Sequence, residues 1–237
     1  MDNVQVSRSA AARIPMRSQA YVAIVAAVAT PLLLVCLRLL SPEFDPSYRM
    51  ISEYALGSYG WLLSMAFLAW GISSCALALA IRSRVRTRGG RVGLAFLVAA
   101  GLGQALASVF DIRNDLMHNV AGALGILGMP VAALLVTVSL GRNPDWAPVL
   151  RRLLLLAHLT WIARVLLVAT FVLLVWSFMA TYGSLPSQAP PALPHGVIGL
   201  VGWADRLLVV VDCTWVAVVA AHVIRLRSAS GSSQTAN

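Results

Sequence analysis

Lysine is absent from the 237 residues and acids are scarce: nine aspartates and glutamates face eighteen basic residues, every one an arginine. Charged residues make up 11% of the chain, against about 25% in a soluble domain, which excludes an ordinary water-facing surface. Cysteine is nearly missing. Cys36, Cys75 and Cys213 are scattered through apolar runs, so the sequence carries neither a disulfide framework nor a Cys-x-x-Cys metal spacing. Internal repeats are lacking, which leaves an inverted-repeat transporter without support. There is also no His-Glu-x-x-His motif and no Gly-x-Ser-x-Gly elbow, so the familiar zinc-hydrolase and serine-hydrolase spacings are missing.

What is present is apolar length. Hydrophobic residues form 59% of the chain, and about 20 of them in a row cross a hydrocarbon core of about 30 Å as a helix. Six such runs are found: Tyr21 to Leu40, Trp61 to Ile81, Val92 to Phe110, Val120 to Leu140, Leu153 to Thr181 and Val197 to Ile224. The first follows basic residues, as a signal peptide would. Its length, Pro31 and the missing small-residue cleavage pattern mark it as a retained span. The expected fold is all-α, a polytopic transmembrane bundle of six spans with a short extracytoplasmic interfacial helix. It divides into a flexible amino terminus (1–17), the membrane domain (18–226) and a disordered tail (227–237).

The formal net charge of +9 would suit nucleic acid, but its placement argues for topology instead. Arg8, Arg13 and Arg17, then "RSRVRTRGGR" at residues 82–91, then Arg142, Arg151 and Arg152, then Arg225 and Arg227 all fall on one side of a six-span chain. Glu43, Asp45, Glu53, Asp111 and Asp115 fall on the other. The positive-inside rule then predicts a plasma-membrane protein with both termini cytoplasmic. The expected partners are membrane lipids, with no nucleic acid. The basic connection could also hold anionic headgroups.

The first connection reads "DPSYRMISEYALG". Asp45 as N-cap, Pro46 at the first helical position and Gly57 past the end predict a short helix, with Arg49 and Glu53 paired at i,i+4. Its tyrosines and Trp61 suit an interfacial aromatic belt. The fifth connection, "SLPSQAPPALPHG", contains four prolines and predicts an extended or turn-rich loop. Small residues at helical spacing, Ala99, Gly103 and Ala107 on the third span and Ala121, Gly125 and Gly128 on the fourth, predict a close helix seam.

Two sets of residues could carry function. Inside the membrane, Arg164, Asp205, Arg206 and Asp212, with His158 nearby, are expensive to bury without partners. At about 1.5 Å per residue Arg164 and Asp205 both reach mid-depth, which predicts an Arg164–Asp205 ion pair, with His158 and Asp212 as a second rung. The set reads as a structural clamp or as a proton relay. On the outer side, Asp111, Asp115 and His118 share a face if "DIRNDLMH" is helical, and Glu53 and Ser52 arrive from the other loop. Glu53, Asp111, Asp115 and His118 could hold a divalent metal such as zinc and activate water, bind a cationic or hydroxylated headgroup, or merely cap the fourth span.

"RMISEYALGSYGWLLSMAFLAWG" and "DIRNDLMHNVAGALG" resemble a family of bacterial and archaeal membrane proteins catalogued as domain of unknown function 998. The likeness lies in the Ile-Ser-Glu approach to the second span, the following "GSYGW", and an Asp preceding a His at the start of the fourth. It implies a six-helix integral membrane protein without established activity and favours Ser52, Glu53, Asp111 and His118 as positions to test. A fainter likeness to the alkaline ceramidase and adiponectin-receptor superfamily implies zinc-dependent hydrolysis, but those proteins have seven spans and a late His-x-x-x-His pair that this chain lacks. The leading functional expectation is binding or handling of a lipid or small amphiphile in an outward-facing polar pocket. A metal-dependent intramembrane hydrolase of lipid amides or esters and a small proton-coupled transporter are the alternatives.

Overall fold

The computed structural model describes residues 2–186 and 190–232, with side chains over 17–186 and 190–226. Six long helices follow one another: α1 (Asp2–Leu40), α2 (Gly60–Ile81), α3 (Arg88–Ala107), α4 (Asp115–Leu140), α5 (Ala147–Tyr182) and α6 (Val201–Ser232). No strand occurs among the described residues. Lipid offers no partner for a free N–H or C=O, so an apolar run there satisfies its backbone internally as a helix. All six helices contain a segment long and apolar enough to cross, which makes this a multi-pass membrane protein. The terminal regions expected to be loose, 1–17 and 227–237, lie outside the described side chains except for Arg17.

Sequential helices pack side by side, and α6 returns to α1 to close the ring, while α2 and α6 also touch across the middle. α6 is the most buried helix and α5 the least. α4 packs on α3 and α5 but scarcely on α6 along the backbone. The α3–α4 seam is present: a Cβ at Gly103 would lie 2.5 Å from Ala121 O and 2.8 Å from Gly125 N, so only glycine permits this approach. One position is corrected. Ala100 faces Gly128, whereas Ala99 is only half-buried.

Apolar runs mark helix ends poorly, because polar first turns belong to the helices too. A 3-10 turn at Pro144–Trp146 leads into α5, which starts six residues before Leu153. The start of α6 moves the other way. Gly196 takes a left-handed φ of 83° and Val197 to Leu200 are non-helical, so the helix begins at Val201.

The first connection also departs from expectation. Asp45 does not open a helix: its Oδ1 accepts the Ser47 N–H at 2.8 Å in a tight turn. That bond to the Ser47 backbone is the main reason its carboxyl sits below the ordinary value of 3.8. The helix that follows is a 3-10 helix, Ile51–Leu56. Glu53 caps it reciprocally, its N–H donating to Met50 O at 3.1 Å and its Oε1 accepting the Met50 N–H at 2.8 Å. The expected Arg49–Glu53 pair forms at 2.9 Å. Ile51, Tyr54 and Ala55 are buried, so this short helix is seated in the end of the bundle.

Candidate functional site

The first turns of α6 hold the connection in place. Gly202, Asp205 and Arg206 share the side that faces it, at the three- and four-residue spacings of a helix face. Gly202 donates to Ser47 O at 3.1 Å, and any side chain there would collide with Pro46 O and Arg49 O. Arg206 Nη1 donates to Arg49 O at 3.0 Å and Gly202 O at 2.8 Å, while its Nη2 donates to the Tyr54 hydroxyl at 3.0 Å. Asp205 Oδ2 accepts the Ile51 N–H at 2.8 Å. The tyrosines are therefore not merely belt residues. Tyr54 is buried beneath Arg206, and Tyr48 donates to Pro190 O at 2.6 Å, burial raising its phenol above the usual value of 10.0.

Beneath Met50, Ile51 and Ser52 lies a cavity of about 100 Å³, walled by Phe67 and Trp70 of α2, Gly103 and Gln104 of α3, His118 and Gly122 of α4, and Asp205 and Leu208 of α6. Gly122, Ile126 and Asp205 in its wall are half-buried, so the cavity is partly open there. Its wall is mostly apolar. Gln104 stiffens it: with the amide nitrogen donating to Trp70 O (3.2 Å) and Ser74 Oγ (3.0 Å), the amide oxygen accepts the Trp70 indole N–H (3.1 Å).

Three further polar residues line the cavity. His118 Nδ1 lies 2.9 Å from Phe110 O. A carbonyl can only accept, so Nδ1 carries a proton, which leaves Nε2 as the ring position able to accept. Ser52 contributes a hydroxyl to the same space, and Asp205 contributes the carboxylate that also holds Ile51.

The other expected acids are elsewhere. In a 3-10 helix successive side chains diverge by about 120°, so Glu53 faces a second, apolar cavity with Tyr48, Phe171 and Phe178 while Ser52 faces the first. Asp111 precedes α4 and does not share a helix face with His118. It pairs with Arg113 at 2.6 Å, and Arg113 Nη2 donates to Ala55 O at 2.8 Å. Asp115 is exposed in the first turn of α4, whose cap is Asn114. Among the described residues no three His, Cys, Asp or Glu side chains converge as a metal site, so the proposed zinc set Glu53, Asp111, Asp115 and His118 is dispersed. Arg113, Gln104 and Trp70 were not anticipated, and Arg206 was expected only as a charge costly to bury. Gly202 beside "ADR" was the available signal for the Arg206 contacts, since a glycine there allows a backbone to approach.

The intramembrane set is also rearranged. Arg164 pairs with Asp212, not Asp205, through two parallel bonds, Nη1 to Oδ1 at 2.7 Å and Nη2 to Oδ2 at 2.6 Å. The later start of α6 explains this: Asp205 is only about 6 Å into the helix and Asp212 about 16 Å. Arg164 Nε donates to Ile126 O at 3.0 Å. That carbonyl is available because the residue four further on is Pro130, which has no N–H to return. Nη1 also reaches Thr160 O at 3.0 Å. His158 is exposed on α5 and does not form the second rung with Asp212, which Arg164 occupies.

The class is thus a six-span α-helical membrane protein with one fully bonded buried ion pair and a small, mostly apolar cavity under a 3-10 helix. The chain belongs to the family described as protein of unknown function (DUF998), whose family model matches residues 24–222. No curated protein and no solved structure matches it.

Proposed function

We propose that this protein binds the polar end of a membrane amphiphile in the cavity beneath the 3-10 helix. The observation that carries the reading is the convergence of Ser52, His118 and Asp205 in an otherwise apolar space within the membrane-spanning bundle, partly open at the half-buried Gly122, Ile126 and Asp205. A pocket with a few placed polar groups on an apolar wall suits a ligand with one polar end. At about 100 Å³ it holds a head rather than a whole lipid; an apolar cavity of about 150 Å³ accommodates benzene. The tail would lie along α4 and α6 in the bilayer. The arginines in and beside the α2–α3 and α4–α5 connections and those late in α6 support a plasma-membrane orientation with both termini cytoplasmic and the cavity toward the outer leaflet.

Gly122 supplies the test. It lines the cavity, and a Cβ added there meets nothing within 4 Å. Gly122→Leu should fill the space while leaving the fold intact. Native mass spectrometry of protein extracted in mild detergent should show an amphiphile retained by the wild type and absent from the variant; equal occupancy of the two would refute the reading.

A further inference from the structure

Asp205 lies in a membrane span, and among the described residues it makes no ion pair. A carboxylate at such a depth needs a partner or water. Its Oδ2 accepts one backbone N–H, and no arginine lines the cavity. The neighbouring Arg206 makes no ion pair with it and bonds instead to the carbonyls of Arg49 and Gly202 and to Tyr54, although its charge is near enough to act on Asp205. Arg49 and Arg113 are committed to Glu53 and Asp111.

The groups that do face the cavity are acceptors. The carboxylate is one, and His118 Nε2 is another because Nδ1–H is committed to Phe110 O. Ser52 can accept as well as donate. Phe67 and Trp70, their rings stacked at 6.5 Å, add an aromatic wall of the kind that attracts cations. A ligand that satisfies this set brings positive charge and several N–H donors together on a compact head.

We infer that the amphiphile bound in this cavity carries a primary ammonium head, with Asp205 as its counter-ion and His118 and Ser52 as hydrogen-bond acceptors. This rests on the proposed amphiphile site and names the chemistry it selects. An anionic head would meet the Asp205 carboxylate with no cation lining the cavity to pair with it. A neutral hydroxyl would leave that carboxylate without an ion-pair partner.

The test is thermal unfolding of the full chain in maltoside detergent, titrated with dodecylammonium, dodecanol or ethylammonium. Ligand that binds the folded state raises the midpoint in proportion to its affinity. Dodecylammonium should act at about ten-fold lower concentration than dodecanol, a preference that Asp205→Asn removes. Asparagine keeps an oxygen for the Ile51 N–H, so the roof of the cavity is preserved. Gly122→Leu should abolish the response to both tailed probes. If dodecanol matches dodecylammonium and Gly122→Leu still blocks both, the amphiphile site stands and the ammonium selectivity is overturned. If no tailed probe shifts the wild type, or Gly122→Leu leaves the shifts unchanged, the site itself is refuted. If ethylammonium matches dodecylammonium, the ligand is a soluble amine and the lipid source is overturned.

Discussion

Asp205 and Asp212 stand two turns apart on one side of α6, and their surroundings are opposite. Asp212 is fully buried, and both of its oxygens are taken by the Arg164 guanidinium, which also reaches carbonyls of α4 and α5. Asp205 holds one backbone N–H and otherwise faces a cavity. Two identical side chains seven residues apart have thus been put to different uses. The deeper one ties three helices together; the shallower one holds the 3-10 helix and lines the cavity.

The comparison can be broken most severely at Arg164. Arg164→Leu strands the Asp212 charge, and removing one partner of a buried pair costs about 3–5 kcal/mol. Thermal melts in detergent should show that loss, and the double variant Arg164→Leu, Asp212→Leu should recover most of it, because two apolar side chains leave no buried charge. If the double variant is as unstable as the single one, the pair is not what matters there.

Arg206→Ala comes next. Losing bonds from a charged donor costs about 1.5–3 kcal/mol, and the effect should be local: hydrogen exchange should accelerate across residues 46–57 and stay unchanged around Arg164. A uniform acceleration would mean the two ends of α6 are not independent.

Asp205→Asn should change stability by less than about 1 kcal/mol, since one neutral acceptor replaces another. A melt that falls as far as the Arg164→Leu melt would erase the distinction between the two acids.

The smallest effect concerns Asp45. Its carboxyl lies below 3.8 because it accepts the Ser47 N–H. A group whose folded-state pKa is depressed adds stability above its unfolded value, and that contribution is lost as pH falls through the folded value. The advantage of wild type over Asp45→Ala should therefore be constant above about pH 5 and shrink below about pH 4; an advantage that grows on acidification contradicts the assignment.

Much of the architecture was legible in the residue string. Six apolar runs each became a helix, Arg49 and Glu53 paired as spaced, and Gly103, Gly125 and Gly128 formed the seam. The candidate site was legible only in fragments. Ser52 and His118 do line one cavity, but Glu53 turns the other way, because consecutive residues of a 3-10 helix cannot share a side. Asp111 proved to orient Arg113, a residue whose neighbouring carboxylate two positions earlier was visible but whose target, Ala55 O, was not.

The sequence by itself determined that the chain crosses a membrane as six helices and where the arginine clusters fall between them, since lipid compels every apolar run of that length to satisfy its own backbone. Only the tertiary structure decided which acid meets Arg164 and which is left facing a cavity. That choice depends on where α6 begins and on the carbonyl that Pro130 releases on α4. Such facts arise from helices meeting in space, and no spacing along one strand of sequence encodes them.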